Sequence, residues 1–265
     1  MQQRSNFSSK IGFVLAAAGS AVGLGNIWRF PYLAARYGGG TFLIVYLVLA
    51  VTFGFALMIA ETAIGRKTGL SAIEAFKKLD KRFAFLGWLA ALVPTFILPY
   101  YSVIGGWVIK YFATFASGNV EASADTNYFL SFIASPTEPL AWFAVFVLLT
   151  AFIVLGGVQK GIENVSKLMM PVLVVLTLVV AVFVIMQDGA MQGVIFYLKP
   201  NMKDFSAKTL LAAATQMFYS MSLAMGIMVT YGSYMKKENN LESSVRQIEL
   251  FDTGIAFLAG LMVIP

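Results

Sequence analysis

Charged residues in this chain are spaced so that long stretches carry none. No Asp, Glu, Lys or Arg lies between Lys10 and Arg29, Arg36 and Glu61, or Arg82 and Lys110. The same holds between Glu138 and Lys160, Lys167 and Asp188, and Lys208 and Lys236. Each gap is about the length of a membrane-crossing helix, which takes roughly 20 residues. A seventh apolar segment starts near Ile248 and runs to Pro265. The pattern predicts six spans and part of a seventh. Because the chain stops inside a hydrophobic run, truncation is expected. Between the spans, Gly38-Gly39-Gly40 predicts a tight turn. Segment 118–139 reads as polar, acidic and irregular, with room for one short helix. Segment 71–81 reads either as an amphipathic helix at the membrane surface or as a solvated connection.

Composition agrees with a polytopic membrane protein. Hydrophobic residues make up 59% of the chain and charged residues 12%, where soluble domains carry about 25% charge. Mean hydropathy is +0.78. The first apolar run has no clear small-residue cleavage site, so it is read as span one rather than as a removable signal. With no cysteine there is no disulfide framework or thiolate metal site. With no histidine, and no carboxylate pair set for proton transfer, an enzyme is not expected.

The net charge of +6 raises nucleic acid as a partner, but its distribution argues against it. Arg66, Lys67, Lys77, Lys78, Lys81 and Arg82 fall between spans two and three. Lys160 and Lys167 follow span four, and Lys236, Lys237 and Arg246 follow span six. The stretch 117–139 carries Glu121, Asp125 and Glu138 but no Lys or Arg. The positive-inside rule then places the N-terminus, with Arg4 and Lys10, in the cytoplasm of a cell whose inner (plasma) membrane holds the chain.

Span one contains Gly19-Ser20-Ala21-Val22-Gly23-Leu24-Gly25-Asn26, followed by Ile27-Trp28-Arg29-Phe30-Pro31. Three glycines, an amide and an arginine are costly in a helix that only spans, and glycine alone costs about 1 kcal/mol per position. An unwound segment frees carbonyls for a hard cation and N–H groups for a carboxylate, and half-helix ends add matching partial charge. Asn26 offers a further oxygen. Close helix packing on small residues is the plainer explanation for the glycines, and Asn26, Arg29 and Pro31 tip the reading towards a binding site. Segment 216–226 of span six is the second polar cluster, suited to ion coordination or to interhelical hydrogen bonds. Asp252, in span seven, is an intramembrane carboxylate and marks an ion pathway. Glu61 is expected to close span two and is able to pair with a neighbouring helix, an interfacial or structural carboxylate being a plainer reading than ion binding. Pro99 is expected to disturb the helix before Tyr100-Tyr101.

Together these residues resemble the neurotransmitter:sodium symporter family, in its bacterial amino-acid transporter branch. The motif from Gly19 to Pro31 carries most of the likeness. Gly38-Gly39-Gly40, Tyr100-Tyr101, Gly161-Ile162-Glu163 and segment 216–226 support it. The resemblance implies an all-α, leucine-transporter-like inverted-repeat fold: residues 1–187 as the first five-helix repeat, and residues 208–265 as the start of the second, in one transmembrane domain 1–265. It implies a sodium-coupled symporter importing an amino acid by alternating access. One sodium would take the Ala21 carbonyl, Asn26, Ser220, Asp252 and the substrate carboxylate. A second would take the Gly19 and Val22 carbonyls, its other ligands lying in a later span. The substrate pocket would hold Ser20, Ala21, Gly23, Leu24, Gly25, Ile97, Tyr101, Tyr219, Ser220, Ser222 and Met225, with Tyr101 bonding the carboxylate. Arg29 and Arg4 would be gate arginines.

Gly23 stands where amine-transporting members carry an acid, which points to an amino acid. Met225 and Tyr219 point to a hydrophobic or aromatic one. Ala224 stands where a glycine often helps to unwind span six. Animal members bind chloride with residues matching Tyr46, Gln216 and Ser220. The fixed charge of Asp252 supplies that negative charge here, so chloride is not expected to be required. Expected partners are the amino acid, sodium and the lipid bilayer, with a homodimer left open and no nucleic acid. A proton-coupled permease of the same architecture and a non-transporting membrane fragment are the alternatives.

Overall fold

A computed structural model describes residues 6–265. It is helical wherever it has regular structure among these residues. Span one is α1 (Lys10–Ala21), a π-turn (Gly25–Arg29) and α2 (Phe30–Arg36). Its halves meet at 51°. The Ser9 hydroxyl starts α1 by accepting from Gly12 N at 3.0 Å. At the far end the backbone turns extended at Val22. Pro31 lacks an N–H and its ring crowds the carbonyl four residues back, which fits the wider π-turn just before it.

Span two is α3 (Gly40–Leu49), a π-turn (Ala50–Gly54) and α4 (Phe55–Thr68). The triple-glycine turn before it is tight because Gly38 and Gly39 take positive φ, and a side chain on Gly39 would run into the Phe196 carbonyl. Glu61 lies inside α4, which continues to Thr68. It does not close the span, because the apolar-gap criterion ends at the first charge whether or not the helix does.

Segment 71–81 contains a helix, α5 (Ala72–Leu79), with Ala72 and Ala75 buried. It lies close against Gly87 of α6 (Ala84–Ala116). Helix α6 runs 33 residues straight through Pro94 and Pro99. The helix is not broken at Pro99, although that residue has no N–H to give to the ladder. Segment 118–139 forms two helices, α7 (Val120–Ala124) and α8 (Thr126–Ala134), rather than one. Asp125 caps the second by accepting from Asn127 N at 2.9 Å.

Span four is α9 (Glu138–Leu155), which buries no residue and forms an outer face. A π-turn (Val158–Glu163) leads into α10 (Asn164–Ile185), and α11 (Ala190–Leu198) follows. Span six is α12 (Ala207–Ser220) and α13 (Ile227–Ser233), separated by non-helical residues 221–226. The chain closes with α14 (Leu241–Val263).

Length and apolarity alone pick out four crossing helices among the described residues, or five with the bent first span. Spans six and seven fall outside that criterion for physical reasons. The first is split into two short pieces, and the second carries Glu242, Arg246, Glu249 and Asp252. Both are placed by packing. Helix α14 lies against α1, α10 and α4, and α13 lies along α4. There Gly65 faces the Val229 carbonyl and Gly232 faces the Thr62 carbonyl, too closely for any side chain. Phe13, Phe30, Phe42, Tyr46, Met217, Met221 and Ile248 fill the core between them.

Candidate ion and substrate site

Backbone bonding shows how span one opens. The Gly23 amide donates to Asn26 Oδ1 at 3.1 Å, and the Leu24 amide donates to the Tyr101 hydroxyl at 3.1 Å. The Asn26 amide turns to the Gly23 carbonyl. The helical ladder onto Gly19, Ser20 and Val22 is thereby interrupted. Partly charged carbonyls are left at mid-span, as at the end of any helix.

Three of the expected ligands converge on this opening. Asn26 and Asp252 are fully buried, and Ser220 nearly so. Asn26 Nδ2 donates to Asp252 Oδ1 at 2.8 Å and to its backbone carbonyl at 2.9 Å. The Ser220 hydroxyl lies 2.8 and 3.0 Å from the two Asp252 oxygens. Tyr46 donates to Oδ2 at 3.3 Å. The donors on offer are a carboxylate, an amide oxygen, a hydroxyl and backbone carbonyls. An all-oxygen set of this kind suits a hard cation.

Beside this cluster is a cavity of about 320 Å³, within the range of small-molecule sites. Of the pocket residues named from sequence, Ser20, Ala21, Gly25, Ile97, Tyr101, Tyr219, Ser222 and Met225 line it. Pro94, Leu98 and Ile227 complete the wall and were not anticipated. The remaining expected pocket residues sit elsewhere. Ser220 turns to Asp252, and Leu24 lines a second cavity. At Gly23 a side chain would collide with the Tyr101 hydroxyl, so the bare backbone is what lets the tyrosine approach.

Arg29 lines the second cavity. It donates to Gln216 Oε1 at 2.9 Å and lies 5.1 Å from the centre of the Tyr219 ring. Gln216 in turn donates to the Gly25 carbonyl at 2.8 Å, tying span six to the broken turn. Arg4, the other expected gate residue, lies outside the described residues.

Glu61, read from sequence as able to pair with a neighbouring helix, bonds to span six. Its Oε1 accepts from the Ala224 amide at 2.6 Å, holding the unwound stretch of span six. That stretch puts Ser222 and Ala224, as well as Gly226, at positive φ. The signal available was a carboxylate inside an apolar helix. Its partner became visible only when the helices crossed.

Bent helices, with a buried carboxylate–amide–hydroxyl cluster beside a cavity at mid-span, define a polytopic membrane protein. Residues 4–131 and 130–265 match the sequence profile of the Sodium:neurotransmitter symporter family, and the chain belongs to that family. It is a family of membrane transporters, not of enzymes.

The chain is 40% identical over 269 residues to YhdH, an uncharacterized sodium-dependent transporter of Bacillus subtilis. That match covers all of this chain and 60% of the relative. It is 31% identical to the human sodium-dependent neutral amino acid transporter SLC6A17, across 99% of this chain and 40% of that protein. The crystal structure of MhsT in complex with L-phenylalanine superposes with a TM-score of 0.93 at 39% identity. It spans 99% of this chain and 61% of that one. The leucine-transporter-like fold expected from sequence is thus the observed one, and the chain spans about 60% of the length of its bacterial relatives.

Proposed function

We propose that these residues form the opening part of a sodium-coupled amino-acid symporter that works by alternating access. The observation carrying this reading is the meeting of Asn26, Ser220 and Asp252 at the break in span one. One sodium is held by the Ala21 carbonyl, Asn26 Oδ1, the Ser220 hydroxyl and Asp252. Asn26 now points Oδ1 at the Gly23 amide and Nδ2 at Asp252, so ligation asks the amide to turn. The Gly19 and Val22 carbonyls contribute to a second sodium. The substrate occupies the cavity under Tyr219, its carboxylate reaching the first sodium and the Tyr101 hydroxyl. Because that carboxylate completes the ion's shell, sodium and substrate strengthen each other's binding by the same factor.

The cavity wall of Pro94, Ile97, Leu98, Met225 and Ile227 favours a hydrophobic or aromatic amino acid. The L-phenylalanine complex of MhsT supports the same choice. Asp252, with Tyr46 and Ser220 turned to it, supplies the negative charge beside the ion, so chloride is not required. Residues 1–187 act as the first repeat and residues 208–265 begin the second. The N-terminus lies in the cytoplasm and Arg29 faces outward.

The test is uptake of labelled L-phenylalanine and L-leucine into proteoliposomes holding the complete transporter. Uptake should need an inward sodium gradient and proceed without chloride. Equal uptake with choline in place of sodium removes the coupling, and uptake driven by a pH gradient alone selects proton coupling instead.

A further inference from the structure

The Tyr219 ring is the shared wall of two cavities. Below it is the substrate cavity, bordered by Tyr101. Above it is a mouth of about 510 Å³ bordered by Trp28, Arg29, Tyr32 and Tyr100. The ring lies against the bare backbone of Gly25 and under the Arg29 guanidinium. Its hydroxyl is 2.7 Å from the hydroxyl of Tyr100. Tyr100 and Tyr101 are consecutive on α6, so they project about 100° apart, one towards each cavity. Tyr101 is engaged with the Leu24 amide, and Tyr100 is the partner of Tyr219.

We propose that Tyr100 is a latch, and that its hydrogen bond to Tyr219 holds the ring closed over the cavity and sets how fast that cavity exchanges with the mouth. The proposal rests on the transport reading above for the identity of what is exchanged. A phenylalanine ring at position 219 would cover the cavity equally well in shape. The hydroxyl adds a polar atom that needs a partner, and α6 provides one from the mouth side. Tyr100 is 42% exposed, so water from the mouth can replace either hydroxyl when the pair separates. A neutral bond in such a place shifts an equilibrium roughly two- to twelve-fold, enough to tune a gate and too little to weld it.

Two measurements on the complete transporter test the latch. The chain has no cysteine, so Ile97→Cys, with any thiols in the remainder replaced, puts one reporter in the substrate cavity. Its modification by a methanethiosulfonate reagent in sodium, without amino acid, reads opening of the lid. Tyr219→Phe and Tyr100→Phe should each speed modification about five-fold, and the double variant should be no faster than either single. In a second assay without the reporter, dissociation of L-phenylalanine should accelerate in the same non-additive pattern. Effects that add, or a Tyr100→Phe lid that opens at the wild-type rate, overturn the latch. Failure of the wild type to bind any apolar amino acid in sodium counts against the transport reading instead, and the thiol assay still judges the latch.

Discussion

Asp252 is fully buried, yet each of its side-chain hydrogen-bond partners is a neutral group: Asn26, Ser220 and Tyr46. No Lys or Arg forms an ion pair with it among the described residues. A carboxylate held without a cation in a low-dielectric interior costs several kcal/mol, which a bound sodium would offset. Asp252→Asn keeps the shape and removes the charge. Its sodium affinity should fall at least ten-fold, while the melting temperature without sodium stays level or rises. A sodium titration followed by thermal unfolding reads both. At this scale the sequence was informative wherever a polar group broke an apolar run, as at Asn26 and Asp252. It marked Glu61, Gln216 and the Tyr100-Tyr101 pair as groups able to bond across helices but could not name their partners, which lie more than 100 positions away for Glu61, Gln216 and Tyr100.

The two broken spans unwind by different means. Span one has glycines at the break and a proline after it, a pattern open to reading along the chain. Span six asks ordinary residues to adopt left-handed backbone: Ser222 at φ 54° and Ala224 at φ 60°. An L side chain in that region costs about 1–2 kcal/mol. Ala224→Gly removes that strain, offset in part by a more flexible unfolded chain. The variant should be about 0.5–1 kcal/mol more stable, seen as a rise of a degree or more in thermal midpoint. A lower midpoint would mean that the Ala224 methyl makes packing contacts worth more than the strain. Element boundaries were less legible than element order. Charges inside α4 and α14 hid their true extent, and α11 left no mark in a reading based on gaps between charges.

Across the whole molecule, the start of the chain is held by residues from its middle and end. Glu163, only 1% exposed, accepts from the Ser8 amide at 2.8 Å, from the Ser8 hydroxyl, and from Lys167 at 2.7 Å. Lys236 reaches the Ser8 carbonyl at 3.1 Å, and the Phe7 amide bonds the Tyr234 carbonyl at 3.2 Å. Phe7 is buried against Phe13, Tyr231 and Tyr234. Gly12 leaves the room that the Glu163 carboxylate occupies. Glu163→Gln keeps the size and drops the charge-assisted part of these bonds, worth about 1.5–3 kcal/mol. Amide hydrogen exchange at Phe7 and Ser8 should then quicken by ten-fold or more. Exchange at the wild-type rate would show that Phe7 and Lys236 hold the segment without Glu163. Sequence pattern flagged Gly161-Ile162-Glu163 as part of a motif but could not say what it grips.

The opening in span one also has a history within each molecule's synthesis. Asn26 and Asp252 are separated by 226 positions. At about 5–20 residues per second of translation, roughly 10 to 45 seconds pass before the carboxylate exists. Ser220 and Gln216 arrive only shortly before it. The diverted Gly23 amide has its partner, Asn26, within the same span, but the Leu24 amide waits for Tyr101, and hydrocarbon does not forgive unpaired backbone. Span one therefore has to enter the bilayer as something closer to a continuous helix and come undone afterwards. On this account the break is the last feature of that helix to form, made by segments the ribosome had not yet produced when the helix was inserted.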